Sequence, residues 1–127
     1  MRYSTSDKEA FIEKMKGRTK KFAVNIIHFC DKLPRTNSSR TISFQLVKSA
    51  TSTGANYRAA CRGHSKAEFH SKLSITVEEA DESLYWLELI EDTKIPCDQI
   101  ELKRLQKEID EITRILAKAR KTNSNKP

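Results

Sequence analysis

Glycine and proline are scarce in this 127-residue chain, with three of each. An all-β sandwich needs a turn signal about every 8 to 12 residues, so this scarcity argues against one. It also argues against a collagen-like chain or a flexible linker. Cysteine is no commoner: Cys30, Cys61 and Cys97 are widely scattered and form no Cys-x-x-Cys pair. An odd, dispersed set predicts free thiols in a reducing compartment, not a disulfide framework or a zinc knuckle. No apolar run approaches the roughly 18 to 20 residues that span a bilayer. Residues 1–7 lack the apolar stretch of a signal peptide. These absences predict a single cytoplasmic domain, mostly helical and without a membrane partner.

The residues that are abundant supply the architecture. Leu102, Leu105, Ile109, Ile112, Leu116 and Ala119 are spaced 3, 4, 3, 4 and 3, which is one seam of an amphipathic helix. Asp98 and Glu101 form a capping-box pattern at its start, just after Pro96. Ser65 and Glu68 repeat that pattern ahead of Phe69, Leu73, Val77, Ala80, Leu84 and Leu87. A third copy, Ser6 and Glu9, opens a helix carrying Phe11, Met15, Phe22, Ile26 and Phe29 and ending near Pro34. A further helix begins between Asn37 and Ser39 and runs to Gly63, a natural C-terminal stop, with Ile42, Leu46, Ala50, Tyr57 and Cys61 on its faces. Four helices joined by short loops predict an all-α fold, an antiparallel up-down-up-down four-helix bundle over residues 1–121. Residues 122–127 read as a disordered tail. Residues 49–55 of the second helix are all small, which lets another helix approach closely, within the bundle or between subunits.

The net charge of +7 is unevenly spread. Residues 1–33 hold 8 basic and 4 acidic residues, and residues 34–64 hold 5 basic and none acidic. Residues 65–92 hold 2 basic and 8 acidic, and residues 93–127 hold 9 basic and 5 acidic. In an up-down-up-down bundle, one pole collects Arg2, Lys8, Arg58, Arg62, Lys66, Lys118, Arg120 and Lys121 against only Asp7, Glu9 and Glu68. Such a pole would attract phosphates, because neutralising each one releases counterions. Cations at helix C-termini also answer the helix macrodipole, so the pattern has a purely structural reading too. The candidate nucleic-acid contacts are Arg58, Arg62, Lys66, Lys118, Arg120 and Lys121. No aromatic platform for reading bases is evident, so binding would be electrostatic and weakly sequence-specific.

The acidic third helix faces a purely basic second helix, and the two could pair within one subunit or between subunits. Ile75, Trp86 and Leu89 add a second apolar stripe beside its core seam. The candidate subunit contacts are Lys48, Asn56, Tyr57, Ile75, Glu78, Glu79, Glu82 and Trp86. A contact between unlike faces is heterologous and closes into a ring when the rotation allows.

Catalytic chemistry is missing. A di-iron bundle needs Glu-x-x-His on facing helices, and this sequence has none. His28, His64 and His70 are isolated, and there is no phosphate-cradling glycine loop or nucleophile elbow. The expectation is a protein that is not an enzyme, with no metal, cofactor or small-molecule substrate.

Three stretches are specific enough to suggest relatives. They are Ser52-Thr53-Gly54-Ala55-Asn56-Tyr57-Arg58-Ala59-Ala60, Ser65-Lys66-Ala67-Glu68-Phe69, and the run from Glu78 to Leu89. Over residues 11–119 the chain resembles the 23S ribosomal RNA intervening-sequence proteins. Many of those carry Asn-Ile-Ala-Glu-Gly where this chain has Asn56-Tyr57-Arg58-Ala59-Ala60. The resemblance implies a four-helix bundle assembled as a homopentameric ring, with no enzymatic activity. A related branch, the accessory variability protein of diversity-generating retroelements, implies work alongside RNA and a reverse transcriptase. The signature implies structural roles, with Asn56 bonding backbone and Arg58 pairing with a carboxylate. The alternative function is a protein–protein scaffold with no nucleic-acid role.

Overall fold

The computed structural model describes residues 5–124, which form four helices and, among these residues, no strand. They are α1 (Thr5–Asp31), α2 (Asn37–Cys61), α3 (Lys66–Asp92) and α4 (Gln99–Ser124). Each helix packs on its two neighbours in a ring, and the diagonal pairs do not meet. The α2–α3 seam is the most extensive and the α1–α4 seam the thinnest.

Pairings along each seam show an up-down-up-down course. The thiol of Cys30 lies near Ser43, while a Cβ on Gly54 would stand 3.5 Å from the carbonyl oxygen of Thr19. Numbers rise on α1 as they fall on α2. Ser83 donates to the Ser49 hydroxyl at 2.9 Å across the α2–α3 seam. Gln106 reaches the Leu87 carbonyl, and Lys103 pairs with Glu91, which fixes α3 against α4. Arg18 forks onto Glu108 at 2.7 and 3.1 Å and meets Glu111 at 3.2 Å. That half-buried pair bridges the thin α1–α4 seam, beside a cavity of about 280 Å³ lined by Phe22, Asn25 and Leu105 among others.

The core follows the periodic seams. Met15, Phe22, Ile26, Leu46, Leu73, Ala80, Leu87, Leu105, Ile109, Ile112 and Leu116 are all buried. Phe11, expected in the core, is instead exposed near the start of α1. The small-residue stretch divides by face: Ser49, Ala50 and Thr53 are buried, and Thr51 and Ala55 face outward. With Thr76, Ala80 and Ser83 opposite, small side chains let α2 and α3 approach closely.

At two of the three expected capping boxes the N-cap side chain bonds as expected. Ser65 accepts from the Glu68 amide at 3.1 Å, and Asp98 accepts from the Glu101 amide at 3.0 Å. The third does not, since α1 already includes Thr5 and Ser6 lies inside it. Thr36 caps α2, accepting from the Ser39 amide at 3.2 Å. Gly63 follows the end of α2 without a left-handed backbone; its position is tight, with a Cβ there only 3.2 Å from the Ala60 carbonyl. At the far end, α4 continues through Ser124, so 122–124 are helical where a disordered tail was expected. Residues 125–127 of that expected tail lie outside the described residues.

The α3–α4 turn carries the one positive φ among described non-glycine residues, Lys94 at 57°. Lys94 donates to the Glu91 carbonyl and Ile95 to the Ile90 carbonyl, a Schellman end with Pro96 directly after it. Left-handed backbone crowds the Cβ of any residue but glycine. Lys94→Gly is therefore expected to stabilise the bundle by about 0.5–1 kcal/mol, read as a raised midpoint in chemical denaturation. Gly17 poses the opposite problem. It sits inside α1 with nothing within 4 Å of where a Cβ would stand. Gly17→Ala should add about 0.5–1 kcal/mol through helix propensity, visible as a higher melting temperature.

Candidate nucleic-acid interface

The topology carries the start of α1, the end of α2, the start of α3 and the end of α4 to one pole. Between α3 and α4 lies an open groove of about 510 Å³ lined by His70, Ala117, Lys118, Arg120 and Lys121. No carboxylate lines it. Lys118 and Lys121 are one turn apart and exposed, while Arg120 is half-buried at the inner side of α4. His70 is half-buried on the α3 flank that faces them, whereas His64 is exposed in the preceding turn. Among the described residues, no three His, Cys, Asp or Glu side chains converge as a metal site.

Arg58 and Arg62 stand one turn apart on α2, both exposed. α2 is diagonal to α4, so these arginines occupy the opposite flank of the pole from the groove. Lys66 opens α3 between the two flanks and is exposed. The six expected contacts therefore share a pole but divide into a groove and a separate α2 pair. Of the acids at this pole, Asp7 and Glu9 are exposed at the start of α1, and Glu68 accepts from the His64 amide at 3.3 Å as part of its cap. Lys8 is exposed at the start of α1, and Arg2 lies outside the described residues.

The expected subunit contacts lie on and beside the α2–α3 edge, with one correction. Tyr57 is 2% exposed and is the largest fully buried side chain in the core, its hydroxyl near the Cys61 thiol. It faces the inside of its own bundle, because it continues the Leu46, Ala50 and Thr53 seam. Asn56 is half-buried and donates to the Ser52 carbonyl at 2.9 Å, a bond to backbone. Arg58 has no carboxylate within ion-pair distance among the described residues, so the implied pairing is not found there.

Lys48, Ile75, Glu78 and Glu82 are exposed, and Glu79 and Trp86 are half-buried. Trp86 donates to the Glu82 carboxylate at 3.0 Å, and Tyr85 stands edge-on to the Trp86 ring at 5.0 Å. Burial, followed by the neighbouring Glu82 charge, pushes the Glu79 carboxyl above its usual range, while Lys48 pulls the other way. Glu91 is held low by hydrogen bonds from Lys103 and Gln106. The outer face of α3 is thus an acidic ridge that repels itself.

Further apolar residues lie outside the core seams read from the sequence. Val24 and Ile27 on α1 and Phe44 on α2, the last 66% exposed, are large apolar side chains left at the surface, and Val47 on α2 is partly buried against the core. Their spacing of three residues on each helix is their sign in the sequence.

No curated protein matches this chain. A similar solved structure is the 1.70 Å crystal structure of a protein of unknown function from the S23 ribosomal protein family of Bacteroides thetaiotaomicron VPI-5482. It is 31% identical, with a TM-score of 0.76 over 87% of this chain and 97% of that one. The family model for 23S rRNA-intervening sequence proteins matches residues 14–118. With its four-helix bundle and its central signature block, the chain belongs to the 23S rRNA-intervening sequence protein family.

Proposed function

We propose that this protein is a non-enzymatic, homo-oligomeric bundle that binds structured RNA, or an RNA–protein complex, through its basic pole. The observation that carries the reading is the groove at that pole, where His70, Lys118, Arg120 and Lys121 converge without a carboxylate in the lining. Phosphates would be held there by charge and by rigid placement on two helices, with no base-specific contact. The α2 pair, Arg58 and Arg62, extends the same field around the pole. Membership of a family named for a ribosomal RNA insertion makes RNA the polyanion to test first. Repetition of the pole around an oligomer, pentameric as the resemblance implies, would raise affinity through multivalent contact.

The test is a salt series of binding to a structured RNA. Affinity should fall linearly on a log–log plot as salt rises, with a slope set by the number of phosphates neutralised. A flat line, or no binding in low salt, overturns the proposal and leaves the protein-scaffold reading.

A further inference from the structure

From Thr41 to Arg62, every third or fourth residue is exposed, which makes one continuous line along the outside of α2. At 1.5 Å per residue the line runs about 30 Å and ends at the basic pole. On it or beside it stand Arg40, Lys48, Arg58 and Arg62, all exposed, and residues 34–64 contain no acidic residue. None of these four cations forms an ion pair among the described residues.

Phe44 lies on the same line, 66% exposed, one turn from Arg40 on one side and from Lys48 on the other. Residues four apart on a helix share a face about 6 Å from one another, so the ring is framed by two cations. A single exposed phenylalanine is ordinary on a protein surface. Its place between two cations on an acid-free helix is the arrangement that suits single-stranded nucleic acid, where cations hold phosphates and a ring carries a base. Sequence alone shows no such platform, since one phenylalanine on a helix carries no mark of the face it occupies.

The neighbouring helices confine a strand to this line. α3, on one side, presents exposed Glu78, Asp81, Glu82 and Glu88, which repel phosphate, and Lys48 stands near Glu79 on that side. α1, on the other side, brings exposed Lys20 against the middle of α2, where its amide nitrogen is 3.7 Å from the place of a Cβ on Gly54. Between Lys48 and Arg58 the line carries only the small side chains of Thr51 and Ala55. The Thr51 hydroxyl already donates to the Val47 carbonyl at 2.8 Å, so this stretch offers room for a backbone and no donor that reads a base.

We infer that the outer face of α2 holds an unpaired segment of RNA, with one base stacked on Phe44, Arg40 and Lys48 on the phosphates either side of it, and Arg58 and Arg62 leading the strand to the pole. This deepens the proposed function and rests on it, naming unpaired strand as the class of RNA bound. Stacking accepts any base, because every base has a π face, so the site separates unpaired from paired strand and not one sequence from another. A duplex keeps its bases stacked on each other and offers α2 its phosphates alone.

The test uses the full chain, a dye-labelled RNA strand without self-complementarity, and the blunt duplex made by adding its complement. Phe44→Ala should weaken binding of the single strand about 10-fold or more, the effect of losing one stacked base, with no change in the slope of log affinity against log salt. Duplex affinity and the mass in solution should match the parent, and Phe44→Trp should restore the single-strand affinity. Arg40→Gln with Lys48→Gln should flatten the single-strand slope by about 1.4, at about 0.7 per phosphate. Four results overturn the inference: single-strand affinity unmoved by Phe44→Ala, an equal loss on the duplex, Phe44→Trp binding no better than Phe44→Ala, or a fall in mass, which would make Phe44 a contact between protein chains. Salt-dependent binding that Phe44→Ala leaves intact removes this inference and keeps the RNA reading, whereas no binding of either RNA in low salt removes both.

Discussion

Replacing Tyr57 by alanine is expected to destabilise the bundle by about 3–5 kcal/mol, the range for emptying a large aromatic site in a core. A domain of this size has a total stability of only about 5–15 kcal/mol, so the variant should be partly unfolded at physiological temperature. The ring fills the space on α2 between Thr53 and Ala60, where small neighbours cannot expand to take its place. Tyr57→Phe should cost far less, about 0.5–1.5 kcal/mol at most, because it keeps the ring and removes only the hydroxyl near the half-buried Cys61 thiol. Denaturant titrations at several protein concentrations separate a core role from an interface role. A core role lowers the midpoint equally at every concentration, with an unchanged slope. An interface role lowers it most when dilute, because assembly is concentration-dependent. A loss under about 1 kcal/mol for Tyr57→Ala would mean the ring is not packed inside its own subunit.

The contrast at Tyr57 shows what the sequence could and could not reveal. Seams with 3–4 spacing predicted the helices and most of the buried residues, because burial of an apolar stripe is the main reason such helices form. Ser65 and Asp98 marked two starts, because their short oxygens satisfy amides at a helix end. Ser6 carried the same pattern without acting as a cap, since the preceding residue is already helical. The turn at Lys94 had only a downstream Pro96 as its sign, because the left-handed residue there is not a glycine. Tyr57 was legible on the second helix's faces with Ile42, Leu46 and Ala50, but standing next to Asn56 and Arg58 in the signature block also made it a candidate subunit contact. For the pole, charge counting and topology were sufficient to collect the cations. Counting could not show that Arg58 and Arg62 stand on the opposite flank from the groove, since that depends on the groove opening between α3 and α4, with α2 diagonal to α4.

That division shapes the second prediction. Reversing Lys118 and Arg120 to Glu, together with Arg58 and Arg62 to Glu, should lower affinity for a structured RNA by about 100-fold or more near physiological salt. Each reversal leaves about one phosphate without its cation, so the slope of log affinity against log salt should flatten by about 1 per substituted residue. The fold should survive. Arg58, Arg62 and Lys118 are exposed and Arg120 half-buried, and a wrong-sign charge at a helix C-terminus costs only about 0.3–1 kcal/mol. Lys121 and Lys66 are left untouched, so the change is confined to side chains whose replacement disturbs no described ion pair. Separating the quadruple variant into its two halves then locates the RNA. A loss confined to Lys118→Glu with Arg120→Glu places the strand in the α3–α4 groove beside His70. A loss confined to Arg58→Glu with Arg62→Glu moves it to the α2 flank of the pole. Comparable losses in both halves require a strand or helix that crosses the pole, touching α2 and α4 at once. Affinity within about twofold of the parent in all three variants would show that the pole's charge answers helix dipoles alone.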